Sequence, residues 1–97
     1  MGDEEGWKLF LNLCSEAKKS AHLEDVFSLF FTIEEREHLA SRMQIIHALL
    51  SSQLSQREIS EEMKVSISQI TRGSNALKIV NKDFLKFLET FSKRHKK

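Results

Sequence analysis

Placed at ~100° per residue around a helix axis, Trp7, Phe10, Leu11, Leu13, Cys14, Ala17 and Ala21 gather on one broad arc, which predicts an amphipathic helix over residues 4 to 20. Its acidic start suits the positive end of a helix dipole. Leu23, Val26, Phe27, Leu29, Phe30 and Phe31 predict a short second helix that buries more than half its circumference. Thr32-Ile-Glu-Glu35 has the form of a capping box, in which the Thr32 hydroxyl and the Glu35 carboxylate each take a free backbone N–H, so a third helix is expected over residues 33 to 50. The last two turns of that helix carry Met43, Ile45, Ile46, Ala48, Leu49 and Leu50, which point in nearly every direction. A helix apolar all round must be surrounded by protein. A 97-residue chain has few other helices to surround it, and small domains bury only a modest share of their surface. An intertwined homodimer is therefore expected.

A second capping box, Ser55-Gln-Arg-Glu58, opens a short helix over Gln56 to Met63. After a turn at Lys64 and Val65, Ser66 can cap a further helix from Ile67 to about Ile79. Two short helices joined by a tight turn, the first buried through Ile59 and Met63, have helix-turn-helix spacing over about 56–79. Helical hairpins in cores and bundles share that pattern, so at this level DNA binding and plain packing both stay open. Asn81 can cap a last helix with Phe84, Leu85, Phe87, Leu88 and Phe91 on one side, and Lys93 to Lys97 read as a solvated end.

The composition supports an all-α fold: there is no Pro, only three Gly, and an abundance of the residues that lose least in a helix. The length suits one domain, 1–97. A lone cysteine, Cys14, cannot form an intrachain disulfide, and neither a secretory leader nor an apolar run near 20 residues is seen, so a cytoplasmic protein without a membrane anchor is expected. His22, His38, His47 and His95 lack the i, i+3 or i, i+4 pairing of a helical metal site, so no metal is expected. No Gly-rich phosphate loop, carboxylate pair or nucleophile elbow is visible, which disfavours an enzyme. The formal net charge of +1 hides an asymmetry: residues 1–40 hold nine acids and four bases (net −5), whereas residues 41–97 hold eleven bases and five acids (net +6). The second half is thus a candidate polyanion surface.

Thr32-Ile-Glu-Glu-Arg-Glu37, Ser41-Arg42, Ser55-Gln-Arg-Glu58 and above all Ile70-Thr-Arg-Gly-Ser-Asn75 followed by Leu77-Lys78 resemble the bacterial tryptophan repressor family, with no gap needed from about Thr32 to Lys78. The resemblance is strong over the last two thirds of the chain and rests on helix pattern alone in the first third. It implies six helices per subunit, interlocked outer helices in a shared dimer core, and paired helix-turn-helix reading heads. It also implies a corepressor pocket for L-tryptophan and no prosthetic cofactor. Arg42 and Arg72 would sandwich the indole, Arg72 and Thr32 would hold the carboxylate, carbonyls of Leu29 and Phe31 contributed by the partner chain would receive the ammonium group, and Gly73 would leave room beside the ring. For double-stranded operator DNA the resemblance implies contacts from Gln56, Arg57, Ile67, Ser68, Gln69, Thr71 and Lys78, with Ser41 placed for a phosphate. The function so implied is a tryptophan-responsive repressor of genes for tryptophan synthesis or uptake.

The chain departs from the family pattern at several points. Ala76 stands where the family has Ser, removing a hydroxyl near the ligand's amino group. Gln69, Ser68 and Ser60 replace Thr, Ala and Lys, and Ile33 replaces Pro. Lys64 and Ser66 replace turn glycines, and a positive φ at Lys64 would cost about 1 kcal/mol. Two other functions stay open: a helix-turn-helix dimer regulated by another ligand or by none, and a helical adaptor whose basic half meets an acidic protein. Tryptophan added during an operator titration separates the first, and a steep loss of DNA affinity with salt argues against the second.

Overall fold

The computed structural model describes residues 2–96 and has six helices with no strand among the described residues. They are α1 (Asp3–Lys19), α2 (Leu23–Phe30), α3 (Ile33–Ser51), α4 (Gln56–Met63), α5 (Ile67–Ile79) and α6 (Lys82–Arg94). Two compact units result, one ending at Glu37 and one beginning at His38, so the boundary falls inside α3.

In the first unit, Asp3, Glu4 and Glu5 open α1, and Lys18 and Lys19 close it, each matching the sign of the helix dipole at its end. The helix stops one residue earlier than its apolar arc predicts. Ala21 takes a left-handed φ of 63°, which lets the His22 N–H reach back to the Ala17 carbonyl at 2.7 Å and satisfies an otherwise orphaned helix-end acceptor. The reversal brings α2 against α1, where Ala17 and Val26 are buried. Phe10 meets Phe30 edge-on at 5.2 Å, a geometry that suits the ring quadrupoles. The capping box at the start of α3 is formed: the Glu35 N–H donates to Thr32 Oγ1 (3.1 Å), and the Thr32 N–H donates to Glu35 Oε1 (2.9 Å).

The second unit is centred on one isoleucine from each of three helices, Ile45 of α3, Ile59 of α4 and Ile70 of α5, with Ala48, Leu49, Met63 and Val65 packed around them. Burying each such side chain contributes about 1.5–3 kcal/mol. Ser55 and Glu58 form the reciprocal cap of α4. Its far end turns at Lys64, whose φ of 58° is left-handed, at a position where the resemblance implies a glycine. Ser60 closes this turn twice, its carbonyl accepting the Val65 N–H at 3.2 Å and its hydroxyl donating to the Val65 carbonyl at 2.5 Å. Ser66 and Asn81 cap α5 and α6 as expected. The α6 helix runs to Arg94, and His95 Nδ1 lies 2.9 Å from the Phe91 carbonyl oxygen; of the basic end, Lys97 lies outside the described residues.

Several large apolar side chains remain open to water in the single chain, among them Leu29 (78% exposed), Ile33 (78%), Ile79 (86%) and Phe87 (61%). On α3, Ile45 is buried and Ile46 to Leu50 half-buried, while Leu39 and Met43 are exposed. So many exposed large apolar side chains fit a chain that pairs with another protein surface.

Candidate functional site

Within the second unit, α3 and α5 face one another across a cleft of about 430 Å³, a size typical of small-molecule sites. The α3 wall carries His38, Ser41, Arg42, Ile45 and Ile46, spaced i, i+3, i+4, i+7 and i+8. The α5 wall carries Gln69, Arg72, Gly73 and Ala76, spaced i, i+3, i+4 and i+7. Both sets are single stripes along one helix face.

Gly73 governs how closely the walls approach. A Cβ at this position would lie 3.0 Å from Ile45 Cγ2 and 3.4 Å from Leu49 Cδ1, so α5 sits this close to α3 without displacing Ile45 because the side chain is absent. Arg42 and Arg72 then supply one guanidinium from each wall. Planar cations of this type stack on aromatic faces and pair with carboxylates. No Asp or Glu lines the cleft. The lining therefore favours a flat, aromatic, anionic ligand.

The opposite arc of α5 carries Ile67, Thr71 and Lys78, with Ser68 at its flank, all exposed. Thr71 Oγ1 lies 3.3 Å from Gln56 Oε1 in the first turn of α4 and 3.0 Å from the Ile67 carbonyl, so the faces of the two helices meet in one polar surface that includes the exposed Arg57. The Ser55 backbone N–H, with its hydroxyl, holds the Glu58 carboxyl below the usual carboxylate range, and Thr32 does the same for Glu35. These glutamates are occupied as caps.

Of the residues expected at a ligand pocket, the structure brings Arg42, Arg72 and Gly73 together. Thr32, Leu29 and Phe31 belong to the first unit and are not among the cleft lining. Leu29 and Phe31 stand at the C-terminal end of α2, where carbonyls lack intrahelical donors. Ser41, expected at a phosphate, and Gln69, expected at DNA, both line the cleft. His38, Ile45 and Ile46 also line the cleft, although the resemblance implies no ligand role for them, and Ala76 lines it as its place near the ligand's amino group implies. The signal was present: His38 is one turn before Arg42, and Gln69 and Ala76 flank Arg72 by one turn on each side.

The family model described as Trp repressor protein matches residues 5–92. The chain belongs to the Trp repressor family. Among curated members, the Trp operon repressor homolog of Chlamydia trachomatis serovar D is 54% identical over 87 residues, spanning 90% of this chain and 93% of that protein. The homolog of Chlamydia caviae is 50% identical over 93 residues (96% and 92%), and that of Vibrio cholerae serotype O1 is 42% identical over 77 residues (79% and 75%). As a Trp repressor the chain is a transcription regulator and not an enzyme. No cluster of His, Cys, Asp or Glu among the described residues could hold a metal ion. Likewise, no described helix is long and apolar enough to cross a membrane.

Proposed function

We propose that this chain is a tryptophan-responsive, DNA-binding repressor that acts as a homodimer on operators of genes for tryptophan synthesis or uptake, in the cytoplasm. The family match spans both compact units, which supports treating residues 1–97 as one repressor domain. The observation that carries the reading is the cleft whose lining includes Arg42 from α3 and Arg72 from α5, beside the close helix approach that Gly73 permits.

An indole between the two guanidinium planes gains about 0.5–2 kcal/mol from cation–π attraction. Arg72 also meets the carboxylate. Thr32 assists it, since its hydroxyl oxygen accepts the Glu35 N–H and leaves the hydroxyl proton to donate. Carbonyls of Leu29 and Phe31 from the second subunit take the ammonium group. Because Arg72 sits on α5, filling the cleft ties the reading helix to α3 and fixes its tilt. Paired helix-turn-helix heads must meet half-sites about 34 Å apart, so restricting that tilt favours DNA, and DNA must favour tryptophan equally. Gln56, Arg57, Ile67, Ser68, Thr71 and Lys78 form the DNA surface, Arg57 and Lys78 neutralising phosphates and Arg57 also suited to bidentate contact with guanine. Ser41 adds a phosphate contact at the rim.

Calorimetry with L-tryptophan on wild type and Arg72→Ala, followed by operator titration at fixed salt, tests the assignment. Heat is expected with wild type and none with the variant, and operator affinity is expected to rise with tryptophan only for wild type. A wild-type operator affinity indifferent to tryptophan overturns it.

A further inference from the structure

The hydrogen-bonding capacity of the two walls is unequal. Guanidinium groups donate and never accept, so Arg42 and Arg72 can stack on an indole and hold its acid group but cannot receive its ring N–H. A ring N–H withdrawn from water without an acceptor is costly. The side-chain acceptors on the cleft are Ser41 and His38 of α3 and Gln69 of α5. A mid-helix serine hydroxyl has short reach and is drawn to the carbonyl one turn back.

Gln69 is better placed. At ~100° per residue it lies about 160° from Thr71 and about 180° from Lys78 around α5, on the stripe of Arg72, Gly73 and Ala76. It is exposed and bonds to Ser66 through its main-chain N–H, to the hydroxyl at 3.3 Å and the carbonyl at 3.1 Å. Its carboxamide ends a flexible stem one turn before Arg72, where it can meet the edge of a ring stacked on that guanidinium.

We propose that Gln69 is a specificity-determining residue of the corepressor site, its side-chain oxygen accepting the ring N–H of the indole. The inference rests on the tryptophan reading above. It makes the site selective for aromatic amino acids whose ring carries an N–H donor.

The test is calorimetry of the full-length dimer without DNA, using L-tryptophan and its benzothiophene analogue, in which sulfur replaces the ring N–H. Wild type is expected to prefer tryptophan by roughly 3- to 10-fold, the net worth of one hydrogen bond. Gln69→Leu is expected to bring that ratio to about 1 while leaving affinity for the analogue nearly unchanged, and Gln69→Ala to give the same ratio. A variant that retains the wild-type preference, a wild type without any preference, or loss of the preference in His38→Phe instead, each overturns the role of Gln69 and leaves the tryptophan reading intact. Absence of heat from wild type with tryptophan overturns both.

Discussion

Replacing Gly73 by alanine sets two calculable effects against each other. Its φ is not positive, so alanine fits the backbone, and relief of glycine's helix penalty adds about 1 kcal/mol of stability. Against this, the new Cβ meets Ile45 Cγ2 at 3.0 Å and Leu49 Cδ1 at 3.4 Å, where carbon pairs prefer about 3.5–4.0 Å. The Leu49 methyl can swing aside. Ile45 cannot, because it is buried and a β-branched side chain in a helix has essentially one χ1 well, so its Cγ2 moves only with α3. Lifting α5 by a few tenths of an ångström falls in the overpacking range of about 1–3 kcal/mol. The net expectation is a loss of about 1 kcal/mol, or roughly 4–8 °C in Tm. The added methyl also enters the cleft, and a similar penalty against a bound ring weakens tryptophan roughly 5- to 150-fold. Urea denaturation at matched protein concentration, which a dimer requires, and calorimetry read the two effects. A more stable variant that binds tryptophan undiminished would show that α5 slides freely over α3, refuting the close-approach reasoning.

Other expectations concern the turns and caps. Lys64→Gly removes the left-handed strain of a side chain at φ 58° at the expense of unfolded-chain entropy, and thermal melts should show a gain of about 0.5–1 kcal/mol. Ser55→Ala deletes a cap whose hydroxyl accepts the Glu58 N–H at 3.1 Å; a loss of about 0.5–2 kcal/mol is expected, with weaker operator binding because Gln56 and Arg57 sit in that first turn. The Glu35 and Glu58 carboxyls are held below their ordinary value of 4.5 by backbone N–H groups. Their contribution to stability is therefore complete above that value and disappears as pH falls through the lowered one. Acid titration followed by circular dichroism should show a shallower loss in the Glu35→Gln, Glu58→Gln double variant than in wild type, and equal steepness would rule out the caps as its source.

The helices were legible because their boundaries are written in local chemistry. Ser55, Ser66 and Asn81 each announce a helix start with a side chain that can take a backbone N–H, and α4 and α5 begin and end where those signals place them. The left-handed φ at Lys64 was foreshadowed only by the family resemblance, which has a turn glycine at that position. Ala21 was not, since nothing in an alanine side chain marks φ 63°; its conformation is imposed by the reversal from α1 into α2. The cleft was half legible. Arg42, Arg72 and Gly73 stand inside a specific motif, whereas Gln69 and His38 acquire meaning only when it is known which arc of α5 faces which arc of α3. That fact depends on the packing of Ile45, Ile59 and Ile70 and not on any local signal. Ser92 was invisible too: it is fully buried with its hydroxyl unpartnered, although its polarity reads as surface.

The uncovered apolar side chains, Ile79 and Leu29 foremost, have a consequence for regulation in the cell. A second copy of the chain is what can cover them, so a newly made chain reaches its working, paired form only when it meets another. The amount of repressor then enters gene control twice, once as the number of molecules and again as the fraction competent to act. Silencing should accordingly set in over a narrower range of expression than simple one-to-one occupancy of an operator would give.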